Sequence, residues 1–120
     1  MSHYLIQISY EPASWDAQMN SPEDARDRVN STAEAVGGRL ESLFYAFGEH
    51  DLIGVLEFPN DKALAAWSIA ISAGGAARSV QSTSLLTIED GMAAMRDASR
   101  VSKVYRPVMP LRPVTPLTYA

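Results

Sequence analysis

Residues 3–10 alternate between apolar and polar positions, with Tyr4, Ile6, Ile8 and Tyr10 on one side and Leu5, Gln7 and Ser9 on the other. That period of two predicts a strand, and Pro12 ends it. Ser21-Pro22-Glu23-Asp24 then offers an N-cap serine, a proline for the first helical position and two acids for the positive end of a helix dipole. Ala25, Val29, Ala33 and Val36 recur at spacings of four, four and three, which predicts a helix with one buried stripe. Gly37-Gly38 is its stop signal.

Two apolar, β-prone runs, residues 40–47 and 52–58, flank Gly48-Glu49-His50-Asp51 and predict a tight hairpin at the centre of a sheet. Pro59-Asn60-Asp61 closes the second run and caps another helix, whose stripe is Ala63, Leu64, Trp67, Ala70 and Ile71 and whose end is Gly74-Gly75. Residues 78–88 read as a fourth strand, with Val80, Leu86 and Ile88 on one face and Thr83 and Leu85 on the other. Residues 89–98, carrying Met92 and Met95, read as a short further helix. The order β-α-β-β-α-β predicts an α+β, ferredoxin-like sheet with its helices on one face.

The hairpin strands are apolar on both faces: Leu40 and Phe44 against Leu43, Tyr45 and Phe47, and Ile53 and Val55 against Leu52, Leu56 and Phe58. Two helices cover only one face of a four-stranded sheet. The other is expected to be buried by the same face of a second copy, in an isologous homodimer or a higher oligomer. A tail folding over its own sheet is the alternative.

Composition narrows the chemistry. At 120 residues the chain can bury a core without staples, and it has no cysteine, which excludes thiolate catalysis, Cys-based zinc sites and disulfides. No basic n-region with an apolar h-region follows Met1, and no apolar run approaches the roughly 20 residues of a membrane span, so a soluble, cytoplasmic protein is expected. The net charge of −4 is unevenly spread: residues 1–97 carry six Lys/Arg and fourteen Asp/Glu, while residues 98–120 carry Arg100, Lys103, Arg106 and Arg112 and no acid. An acidic body argues against a nucleic-acid surface.

The chain is thus expected to divide into a folded domain, 1–98, and an extended, basic, proline-rich tail, 99–120. Pro107, Pro110, Pro113 and Pro116 recur every third residue, the polyproline II period. The tail is expected to dock on its own or a neighbouring subunit through apolar residues such as Val101, Val104 and Tyr105.

Candidate chemistry is sparse. His50 and Asp51 are the imidazole–carboxylate neighbours of the chain and the candidates for acid/base work, although a turn aspartate also satisfies local backbone donors. Trp15, Tyr45 and Trp67 are candidates to line a small-molecule pocket between sheet and helices, with Arg78 to hold an anion. No metal site or cofactor is expected, since Glu49, His50 and Asp51 would need ligands from another chain. Neither a phosphate loop nor a Gly-x-Ser-x-Gly elbow occurs.

Taken in order, the strand ending in Tyr10, then Trp15, Pro22, Gly37-Gly38, Gly48-Glu49-His50-Asp51, Pro59-Asn60-Asp61 and Thr83 resemble the GYD domain family. These are small bacterial and archaeal proteins grouped with the dimeric α/β-barrel folds. The namesake motif carries Tyr where this chain has His50. The Gly-x-x-Asp hairpin is also similar to the ligand-binding half of Lrp/AsnC-type regulators, without a helix-turn-helix before it. The resemblance implies a fold and an oligomer, not an activity. Three functions stay open: non-catalytic binding of a small hydrophobic or anionic metabolite, an enzyme using His50 with Tyr45 or Asp51 on a small aromatic or keto substrate, and a scaffold acting through its tail.

Overall fold

A computed structural model describes residues 1–108 of the chain. Its elements are β1 (Ser2–Tyr10), α1 (Pro12–Asn20), α2 (Ala25–Glu34), β2 (Arg39–Tyr45), β3 (Leu52–Phe58), α3 (Asp61–Ala73), β4 (Ala77–Leu85) and α4 (Ile88–Val104). The four strands form one antiparallel sheet in the order β2-β3-β1-β4. The expected α+β, ferredoxin-like architecture is what the chain adopts. The hairpin does not sit at the sheet centre, however: β3 lies inside the sheet and β2 forms an edge.

The two-residue period of β1 decides where the core lies. Tyr4, Ile6, Ile8 and Tyr10 are buried, as are Leu52, Leu56 and Phe58 of β3, and they pack against Val29 and Ala33 of α2 and Trp67 of α3. Each large apolar side chain removed from water contributes about 1.5–3 kcal/mol, so this face holds the domain together. α2 packs against β2, and α3 against β4. Gly38 lets the chain return to the sheet edge, because a Cβ there would lie 2.6 Å from both the Glu57 carbonyl oxygen and the Phe58 ring.

Several sequence expectations need correction. α2 starts at Ala25 with Asp24 as its cap, whose carboxylate accepts the Arg26 backbone N–H at 2.9 Å, and Ser21 and Pro22 precede the helix. Pro12 opens α1, a helix with no buried residue and therefore no apolar stripe to announce it. In β2, Leu40 pairs with Leu56 and Ser42 with Val55, so Glu41 is an extra residue and the strand carries a bulge. Strict alternation fails across it: Leu40, Leu43 and Tyr45 share the helix side and Phe44 faces the other way. β4 stops at Leu85 because the Thr87 hydroxyl accepts the Asp90 backbone N–H at 3.1 Å and starts α4.

Met1–Leu86 forms one compact unit, and α4 belongs to a second that begins at Thr87. α4 runs to Val104 rather than ending at residue 98, with Glu89 and Asp90 in its first turn and Lys103 in its last, each favourable to the helix dipole. Its apolar side chains, Ile88, Met95 and Val101 among them, are exposed. Of the regularly spaced prolines, Pro110, Pro113 and Pro116 lie outside the described residues. Among those described, no helix is long and apolar enough to cross a membrane.

Candidate functional site

Two cavities open on the helix side of the sheet, and Tyr10 stands between them. The backbone N–H of Glu11 and the hydroxyl of Ser14 both donate to the Ala76 carbonyl, at 3.0 and 2.6 Å, which ties the start of α1 to the segment entering β4. Trp15 is thereby set edge-on to Tyr10, with ring centroids 5.3 Å apart, and tilted against Tyr45 at 5.9 Å. The first cavity, an open groove of about 650 Å³, is walled by Pro12, Trp15, Met19, Pro22 and Tyr45 and rimmed by Asp16 and Glu23.

The second cavity is a crevice of about 240 Å³ between α2, α3 and the sheet. Ile8, Tyr10, Val29, Leu52, Trp67 and Ile71 line it, and small residues at Ala70, Gly74 and Ala77 leave it unfilled. Trp67 donates its indole N–H to the Thr32 hydroxyl at 2.9 Å, so the buried ring has its polar atom satisfied. Arg28 also borders the crevice. Its guanidinium makes only long contacts, 3.5 Å to the Tyr10 hydroxyl and 3.4 Å to Gln18 Oε1, and among the described residues no carboxylate pairs with it. Burial raises the Tyr10 phenol pKa, against the lowering pull of Arg28. Gln18 Oε1 also accepts from the Tyr45 hydroxyl at 3.2 Å, so Arg28, Gln18 and Tyr45 link the two cavities.

The sequence candidates are therefore divided. Trp15 and Tyr45 meet in the groove, Trp67 lines the crevice, and Arg78 lies exposed on β4 and lines neither. Arg28, which sequence reading passed over, is the cation at the crevice. Its signal was available only in the helix period, which places residue 28 one turn from the stripe residue Ala25 and from Thr32.

His50 and Asp51 have separate partners. The Asp51 carboxylate accepts the Tyr10 backbone N–H at 2.8 Å, and the Asp51 N–H donates to the Ile8 carbonyl at 2.8 Å, so this residue extends the β1–β3 ladder. His50 is buried, with Nδ1 3.4 Å from Ser9 Oγ. Ser9 Oγ also lies within hydrogen-bond distance of the Glu49 carbonyl, at 3.2 Å, so the serine hydroxyl bridges His50 and the backbone of its neighbour.

At the far end of the sheet, on the side away from α2 and α3, His3, Glu57 and Arg39 form one row across three strands. The bulge adds Glu41, whose carboxylate lies 3.1 Å from His3 Nδ1, while His3 lies 3.5 Å from Glu57. Arg39 pairs directly with the buried Glu57 and holds its carboxyl pKa below the usual value. The ligand atoms of His3, Glu41 and Glu57 lie within 4.8 Å of one another, a set able to meet a divalent cation only in competition with Arg39.

The model of the family described as "GYD domain" matches residues 4–95, most of the chain. The chain belongs to the GYD domain family. Among solved structures, FFRP-DM1 superposes on this GYD domain with a TM-score of 0.50 at 15% identity, covering 72% of this chain and 100% of that one. A transcriptional regulator from Neisseria meningitidis, solved as a complex with L-Met, superposes with a TM-score of 0.47 at 17% identity, over 72% of this chain and 51% of that one. The GYD chain thus matches about half the length of the regulator, and at 15% identity the likeness to FFRP-DM1 is one of fold. No curated protein matches it in sequence.

Proposed function

We propose that this GYD domain is a self-associating, non-catalytic binding module. Two copies close sheet against sheet, and the helix side of each holds a small apolar or anionic molecule. The observation that carries this reading is the two-sidedness of the sheet. One face is packed beneath α2 and α3 around the crevice, with the groove beside it at α1. On the other, within Met1–Leu86, Leu5, Ile53 and Val55 are only half-buried and Phe44 is 69% exposed. An apolar patch on the middle of a sheet is the surface an isologous interface uses.

Binding is favoured over proton transfer because the Asp51 carboxylate and His50 Nδ1 are engaged in holding the hairpin to β1. The tail reading concerns residues mostly outside those described. Deleting residues 105–120 changes the oligomeric mass only if the tail bridges subunits.

Native mass spectrometry of protein purified without added ligand, followed by denaturation, tests the whole reading. A dimer or larger assembly with a reproducible extra mass lost on denaturation is the expected result. A bare monomer overturns it.

A further inference from the structure

We infer that the crevice between α2 and α3 is a binding site for a monocarboxylate with a single-ring or short branched apolar body, with Arg28 as its counter-charge. This rests on the small-molecule reading above and adds to it the site and the ligand class. Size sets the first limit. About 240 Å³ falls just below the range of roughly 300–1,000 Å³ typical of sites for drug-sized ligands. The space therefore suits one ring and a short chain, not a nucleotide.

Polarity follows from the lining. Ile8, Val29, Leu52 and Ile71 present only hydrocarbon, and the Trp67 indole N–H is already bonded to the Thr32 hydroxyl at 2.9 Å. A ligand body bearing hydroxyls or amides would lose its water without replacement.

Charge decides the remaining end. Arg28 is the cation bordering the crevice, and among the described residues it has no carboxylate partner. Arg26, on the same helix, is already paired with Asp24 at 2.8 Å. A guanidinium presents a planar fork that matches a carboxylate with two parallel hydrogen bonds. The 3.4 and 3.5 Å contacts of Arg28 to Gln18 and Tyr10 are weak enough to be exchanged for that pairing, and the Tyr10 hydroxyl stands beside the same end as a further donor.

The groove at Trp15 does not compete for this ligand. Its rim carries Asp16 and Glu23, which repel an anion.

The test uses the full chain, ¹⁵N-labelled, titrated with phenylacetate, 3-phenylpropionate and 4-methylpentanoate, and with 3-phenylpropionamide as the uncharged control. Saturable binding of at least one acid is expected, with the Trp67 indole N–H resonance moving and that of Trp15 still. The amide and the Arg28→Gln variant should each bind at least ten-fold more weakly. Ala70→Phe, which fills the crevice from an exposed helix position, should abolish binding while leaving the rest of the spectrum folded. Equal affinity for acid and amide, or unchanged affinity in Arg28→Gln, overturns the inference. So does the absence of binding by all three acids at millimolar concentration. Movement confined to the Trp15 indole overturns the crevice but leaves the small-molecule reading standing, whereas a monomeric protein that still binds the acids counts against self-association alone.

Discussion

The indole N–H of Trp67 donates to the hydroxyl of Thr32 at 2.9 Å, a bond from α3 to α2 between two residues that line the same crevice. Thr32 in turn donates to the Val29 carbonyl at 2.7 Å. Trp67→Phe keeps most of the buried ring and removes one neutral hydrogen bond, so the expected loss is about 1 kcal/mol. Trp67→Ala empties the core between the helices and should lose about 3–5 kcal/mol. Urea denaturation of the two variants checks both values.

Gly54 is held to glycine by its neighbours. A Cβ there would lie 2.7 Å from the Ser42 carbonyl oxygen and 2.8 Å from Leu43 Cδ1. Leucine can turn aside, but a backbone carbonyl in a strand ladder cannot. Gly54→Ala is expected to destabilise by about 1–3 kcal/mol and to loosen the β2–β3 pairing, seen as faster amide exchange in β2.

Glu57 makes stability depend on acid. Its hydrogen bond and charge contact with Arg39 lower its folded pKa, so its contribution is complete above the ordinary glutamate value, about 4.3, and is lost as pH falls through the folded value. Glu57→Gln should flatten the acid limb of a melting temperature against pH curve and leave the neutral region less affected. Arg39→Ala should do the same from the other side of the pair.

His50→Gln should leave both the fold and the oligomeric mass unchanged, since the glutamine amide can still hydrogen-bond to Ser9. Under the binding reading it also leaves ligand affinity within about two-fold, because a contact outside the binding crevice has little to contribute to it. A variant that keeps its fold and mass but loses a measurable turnover of an aromatic or keto substrate would favour the enzyme reading instead.

Much of the fold was legible because its periods are clean. The alternation of β1 and the stripe Ala25, Val29, Ala33 placed the buried face of the sheet and one helix over it. The hairpin residues failed at one point, where Glu41 forms a bulge and puts Leu40 and Phe44 on opposite faces. A bulge is a change of register against a partner strand, and a single strand's pattern does not contain it. α1 was missed for a different reason: with no buried residue, it has no stripe. Of the site, the aromatic residues Trp15, Tyr45 and Trp67 could be read, but not their division between two cavities. Arg78 was the cation sought and Arg28 the one found, since which cation meets an apolar gap depends on how the two helices are spaced over the sheet.

Self-association through the sheet face opposite α2 and α3 is the central claim of the proposed function. Phe44 lies on the edge strand and is 69% exposed in the single copy, so Phe44→Asp costs the fold little and places a charge within the proposed contact. Light scattering across a dilution series, on the native chain and on this variant, decides the matter. A mass of about twice 13.0 kDa is expected for the native chain, and a folded monomer for Phe44→Asp. A native chain that is monomeric throughout, or a variant as dimeric as the native protein, would contradict the sheet-to-sheet dimer.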